Sequence, residues 1–234
     1  MQFSYKIKII CRVFIIANIQ LYTVAFAQVK PVKKPKNYRD AVNVDSMQQM
    51  IEIKTLIPNI IYDLRYATED NFTHAKLYQD GKQTFLRLPV AKALQKAQED
   101  LNQRGYGLKI FDAYRPYSVT KKMWDLVHDD RYVADPSKGS GHNRGLAVDL
   151  TIINLNDRSE LKMGTGFDNF TDTAHHSFKN FPANILSNRK LLKETMEKHG
   201  FKTLETEWWH YSWPNDRNYE VLDIGFKKLK KYSH

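Results

Sequence analysis

The chain has 234 residues, 42% hydrophobic and 12% aromatic, a globular composition that excludes a disordered or collagen-like polymer and suits one domain. Its net charge of +10 lies at the ends, in Lys6, Lys8 and Arg12, in Lys30, Lys33, Lys34, Lys36 and Arg39, and in Lys227, Lys228, Lys230 and Lys231. Residues 41–226 hold 24 basic against 25 acidic residues, so the charge reads as solvated tails and no nucleic-acid partner is expected.

Residues 1–27 read as a secretory signal peptide: a positive start, a mostly apolar run from Ile9 to Phe26, and Ala25-Phe26-Ala27 as a cleavage site. Arg12 interrupts the apolar run, which leaves an uncleaved N-terminal anchor as the alternative. The expectation is an exported protein, periplasmic or secreted, with no stable membrane insertion after cleavage. The lone Cys11 lies inside this segment. A processed chain thus has neither a disulfide nor a thiolate ligand, and a metal must be held by His, Asp or Glu.

Residues 28–40, with Pro31, Pro35 and five basic residues, read as a basic linker. A single domain is expected over 41–226, with 227–234 a basic C-terminal tail. Within the domain, apolar spacing predicts a helix from Pro89 to Arg104, ended by Gly105. A short strand follows at Leu108–Phe111. Ser118 is expected to cap a helix running to about His128. Leu146–Ile153 reads as a buried strand, Asn188–His199 as a helix ended by Gly200, and Trp208–Trp213 as an aromatic strand. Without regular βαβ alternation the fold class is α+β, a mainly antiparallel sheet flanked by helices.

Two segments carry chemistry, 140–149 (SGHNRGLAVD) and 207–211 (EWWHY). Together they supply two histidines, an aspartate and a glutamate. Two imidazoles and a carboxylate suffice to hold a catalytic Zn²⁺ and leave the fourth position for water. A carboxylate that does not bind metal is then needed as base. The assignment is one Zn²⁺ held by His142, Asp149 and His210, with Glu207 as base. His142 and Asp149 are an odd number of residues apart, so one strand cannot aim both at one ion. His142 is therefore placed in a Gly-rich turn before the strand, and Glu207 at a bend where the later strand begins. The small Ala147 would leave room beside a metal. Spacing alone also allows ordinary surface or core histidines, whereas Asp149 in an apolar strand needs a compensating partner.

The pattern Ser140-x-His142-x-x-Gly145-x-Ala147-x-Asp149, followed by Glu207-x-Trp209-His210, resembles the zinc D,D-peptidases of peptidoglycan metabolism. Three further segments resemble the D-alanyl-D-alanine dipeptidase branch of the VanX type: 66–73 (YATEDNFT), 112–116 (DAYRP) and 163–168 (MGTGFD). The resemblance covers roughly residues 45–225. It implies His142, Asp149 and His210 as zinc ligands, Glu207 as base and Arg115 as stabiliser of the tetrahedral intermediate. It also implies Asp168 and Tyr66 as receptors of the substrate ammonium, and Ser140 as a substrate contact near the metal. His74 stands where members often have Gly, so the loop to Tyr78 is expected to differ, and Gly141 replaces a more usual small polar residue.

The implied activity is hydrolysis of the D-Ala-D-Ala dipeptide to two D-alanines in cell-wall peptide turnover. The alternative is a zinc D,D-carboxypeptidase that trims peptidoglycan stem peptides. A catalytically silent wall-binding protein with structural zinc is a third reading, disfavoured because a structural site needs no free carboxylate such as Glu207.

Overall fold

A computed structural model describes residues 28–79 and 81–232. The expected signal peptide, residues 1–27, lies outside them. No helix among the described residues is long and apolar enough to cross a membrane.

In chain order the elements are α1 (Pro35–Val44), β1 (Met50–Glu52), α2 (Ile53–Leu56), β2 (Ile61–Tyr62), β3 (Phe85–Arg87), α3 (Leu88–Asn102) and β4 (Tyr106–Asp112). Then come α4 (Tyr117–Trp124), α5 (Gly141–Arg144), β5 (Ala147–Asn154), α6 (Ala183–Lys198), β6 (Lys202–Leu204), β7 (Glu207–Ser212) and α7 (Phe226–Lys230). The main sheet runs β2-β4-β5-β7-β6, and β1 pairs with β3 in a separate two-stranded sheet. Among the strand pairs of the described residues, β2–β4 is parallel and the other four are antiparallel. The expected α+β class with a mainly antiparallel sheet therefore holds.

β5 is the central strand and is buried on both faces, which explains its nearly unbroken apolar run. Val148, Leu150 and Ile152 join a core shared with Leu94 and Leu101 of α3 and Leu192 and Met196 of α6. α3 turns its Val90, Leu94, Ala97 and Leu101 stripe fully inward, and Gly105 ends it with φ +79°.

Four expectations are corrected. Residues 28–40 are not a linker: Val32 donates to the Val221 carbonyl, α1 starts at Pro35, and the buried Tyr38 hydroxyl accepts from Met50 N–H. The basic tail is not a free tail either, because α7 buries Leu229 and Phe226 among Tyr78, Phe85 and Tyr114. Finally, Pro116 and not Ser118 stands at the start of α4, where a residue with no N–H costs nothing. The Ser118 N–H instead donates to Asp223 Oδ1 at 2.9 Å. α6 also begins earlier than its apolar period shows, since its first turn is largely solvent-facing.

The loop after Tyr66 is organised by Asn71, whose amide donates to the carbonyls of Arg65, Thr68 and Ala75. His74 lies in it with φ +51°, a left-handed conformation that disfavours any residue with a Cβ. His74→Gly is expected to relieve that conformation and stabilise the protein by about 0.5–1 kcal/mol. Thermal unfolding of the two proteins checks this, and an unchanged or lower Tm contradicts it.

Candidate active site

His142 stands on α5, a one-turn helix where a turn was expected. Ser140 caps it: its Oγ accepts from Asn143 N–H at 3.1 Å, and Asn143 Oδ1 accepts in return from Ser140 N–H at 3.0 Å. Gly145, at φ +69°, ends the helix and turns the chain into β5. The small size of Ala147 also serves the packing of α5. A Cβ at Gly141 would come within 2.9 Å of the Ala147 Cβ, so both residues let α5 lie tightly on the strand. The fully buried Asn143 side chain then donates to the Arg115 carbonyl and to Thr120 Oγ1, both at 2.8 Å.

The His142 Nδ1 lies 2.7 Å from the Ala113 carbonyl oxygen. With the proton on Nδ1, donated to that carbonyl, Nε2 carries a free lone pair. Asp149 lies on β5 directly opposite His210 on β7. The three donors converge: His142 Nε2 is 3.3 Å from His210 Nδ1 and 3.4 Å from Asp149 Oδ2, and His210 Nδ1 is 2.9 Å from Asp149 Oδ1. Zinc–nitrogen bonds of about 2.0–2.1 Å give a tetrahedron with edges of about 3.3–3.4 Å, which the separation of the two imidazole nitrogens matches; Asp149 turns one oxygen to each imidazole, and with one atom taken from each residue the three donors lie within 4.8 Å of one another. Among the described residues this is the group whose geometry could hold a metal. Burial by itself would raise the Asp149 carboxyl, but the two imidazoles hold it well below its ordinary value.

Glu207 opens β7 beside a register irregularity between β6 and β7, as a bend would require. It is 6% exposed and lies 3.8 Å from His210 Nδ1. Burial pushes its carboxyl up to about 8; the His210 imidazole pulls it back down, while Asp149 and Asp168 push it further up. A buried carboxylate of raised basicity next to, but outside, a donor triad is suited to accept a proton.

Arg115 is held by Asp112, a residue not singled out from the sequence. Asp112 Oδ2 accepts from Arg115 Nε at 2.9 Å and lies 2.8 Å from Nη2. Its Oδ1 accepts from the Tyr78 hydroxyl at 2.6 Å. The guanidinium sits over the Tyr66 ring, 5.0 Å from its centroid, and 3.9 Å from Asp149 Oδ2. The signal was present in Asp112-Ala113-Tyr114-Arg115, because a buried arginine needs a carboxylate close by.

Tyr66 is buried, and its hydroxyl donates to Asp168 Oδ1 at 2.9 Å. Asp168 Oδ2 is inaccessible to solvent and has no hydrogen-bond partner, and the residue adopts φ +58°. Burial raises its carboxyl to about 7, although Tyr66 donates to it. An orphaned carboxylate oxygen on a strained backbone is costly for folding alone and marks a place made for a cationic ligand.

All eight residues singled out from the sequence line one cavity of about 270 Å³: Tyr66, Arg115, Ser140, His142, Asp149, Asp168, Glu207 and His210. Ser140 is there too, with its oxygen already engaged in capping.

A D-alanyl-D-alanine dipeptidase of Escherichia coli (strain K12) is 33% identical over 174 residues, covering 74% of this chain and 89% of that protein. A D-alanyl-D-alanine dipeptidase of Enterococcus faecium is 31% identical over 177 residues, covering 67% of this chain and 87% of that protein. Among solved structures, a vancomycin resistance D,D-pentapeptidase in complex with Zn(II) aligns with 56% of this chain and 74% of its own at 19% identity. Its TM-score of 0.38 is too low to bear on the site. The Peptidase_M15 model, described as D-ala-D-ala dipeptidase, matches residues 46–228, and with this match the chain belongs to that metallopeptidase family.

Proposed function

We propose that this chain hydrolyses D-Ala-D-Ala to two D-alanines, using one zinc ion held by His142, Asp149 and His210. The observation that carries the reading is the solvent-excluded, unpartnered Asp168 Oδ2 in the same cavity as the donor triad and Glu207. A bound zinc supplies a Lewis acid that brings the pKa of a water down towards ~7.

The chain's own residues do the rest. Asp168 pairs with the substrate α-ammonium, and Tyr66 holds the carboxylate in place. Glu207 takes a proton from the water as it adds to the amide carbon, and delivers it to the amine nitrogen as the C–N bond breaks. Arg115, kept rigid by Asp112, donates to the carbonyl oxygen as charge develops there and never has to give up its own proton. Ser140 is assigned to the substrate side of the same wall.

A substrate extended at its N-terminus has an amide where the ammonium should be. It leaves the Asp168 charge unpaired, a penalty of the kind that gives strong discrimination. This separates the dipeptidase from the carboxypeptidase reading. A silent wall-binding role leaves Glu207 without a purpose. We also propose export, with cleavage after Ala27 and substrate met outside the inner membrane; a mature N-terminus at Gln28 is the expected finding, and an intact Met1 in the exported fraction contradicts it.

Chelator-treated protein is expected to lose D-alanine release from D-Ala-D-Ala and to regain it with one equivalent of zinc. Release that continues after the metal is removed, shown by elemental analysis, contradicts the proposal.

A further inference from the structure

We infer that an aromatic arch over the ammonium end of the cavity, made by Phe72, Phe170 and Tyr132, is a second and steric determinant of substrate length. This inference rests on the dipeptidase reading and deepens it. The three rings come from three separate segments: the loop after Tyr66, the stretch before α5, and the stretch after Asp168. Phe72 meets Phe170 edge-on at 5.3 Å between centroids, and Phe170 meets Tyr132 at 4.7 Å. Phe72 also packs edge-on against Tyr66 at 6.2 Å.

The arch is anchored on the ammonium receptor. Phe170 follows Asp168 by two residues, Phe72 touches the tyrosine that donates to Asp168, and the Phe72 backbone N–H favours the ionised Asp168 carboxylate. From there it reaches Tyr132, which also lines the cavity and whose neighbour Arg131 accepts a hydrogen bond at its carbonyl from Thr206, next to Glu207. Phe72 and Tyr132 both line the cavity; Phe170 joins them. All three rings are partly exposed; Phe72 packs against the edge of the core, whereas Phe170 and Tyr132 belong to neither core cluster. Two edge-on contacts and one tilted contact, at one end of a small polar cavity, do more for closure than for folding. A peptide chain continuing past the ammonium position must pass through these rings.

Charge and shape can be separated. Asp168→Asn removes the unpaired-charge penalty for an N-extended substrate but leaves the arch. Tyr132→Ala and Phe170→Ala remove the arch and leave the charge. The experiment measures kcat/KM of the zinc-loaded full chain for D-Ala-D-Ala and for L-Lys-D-Ala-D-Ala, in the parent, in each single variant, and in Asp168→Asn combined with Phe170→Ala or with Tyr132→Ala. The arch variants are expected to keep dipeptide turnover, which also shows that they fold. Combined with Asp168→Asn, they are expected to raise tripeptide cleavage at least about tenfold over Asp168→Asn alone, the size of a steric discrimination.

Equal tripeptide cleavage with and without the arch, in proteins of which the parent and single arch variants still cleave the dipeptide, overturns this inference and leaves the dipeptidase reading standing. A parent that cleaves no D-Ala-D-Ala overturns both.

Discussion

Glu207→Gln is expected to lower kcat for D-Ala-D-Ala by about 10²–10⁴-fold while zinc content stays at one ion per chain, the range a positioned general base contributes. Glu207 lies outside the donor triad, so exchanging its carboxylate for an amide removes the proton acceptor and leaves His142, Asp149 and His210 in place. The substitution is nearly isosteric and removes a carboxyl that burial already disfavours in its charged form, so folding stability is expected to hold or rise. The contrasting variant is His142→Ala, which should lose both activity and zinc. Kinetics with metal analysis on both proteins separate the roles. Loss of zinc in Glu207→Gln would move this residue into the ligand set.

The second large effect belongs to Asp168. Asp168→Asn is expected to reduce kcat/KM for D-Ala-D-Ala by about 10²–10⁴-fold, because the ammonium loses the counter-charge assigned to it, the other buried carboxylates of the cavity being a metal donor, Asp149, and the base, Glu207. The same change is expected to stabilise the metal-free protein at alkaline pH, and the sign follows from linkage. In the metal-free fold the Asp168 carboxyl is raised from its ordinary 3.8 to about 7 by burial. Between those values the unfolded chain has released the proton and the folded chain still holds it, so stability falls as pH rises through that window. Below it neither state is ionised and nothing is lost; above it the penalty is complete, on the order of 2–4 kcal/mol for a shift of this size. Asn has no proton to release, so the variant's advantage should be absent at pH 4 and full at pH 8. Denaturant melts of both metal-free proteins at these two pH values check it. An advantage that does not change with pH contradicts the assignment of the orphaned oxygen as the cause.

The chemistry was legible in the sequence because it is concentrated in short segments. Asp149 in an apolar strand demanded a partner, and the odd spacings placed His142 before that strand and Glu207 at the start of the later aromatic one. β5, β7 and α3 were legible because long, strongly patterned runs define them. What could not be read depends on distant partners. The 28–40 segment looked like a linker until Tyr38 was seen to accept from Met50 and Val32 to pair beside Val221. The lysine-rich end hides Leu229, which has a place only because Tyr78, Phe85 and Tyr114 form the other wall. β1, β3 and β6 are three residues each, too short for any period to register. Asp112 was overlooked although it stands three residues before Arg115, because its importance comes from total burial at the β4–β5 irregularity next to Asp149.

The most direct test of the central claim is a competition. Zinc-loaded protein is given D-Ala-D-Ala together with a stem pentapeptide ending in D-Ala-D-Ala, and the kcat/KM values are compared from D-alanine released and pentapeptide consumed. A cavity that ends on Asp168 predicts cleavage of the dipeptide in preference by at least about 10³-fold, the scale set by leaving a buried charge unpaired. Comparable or faster trimming of the pentapeptide would contradict the ammonium receptor and make the chain a carboxypeptidase built on the same metal site.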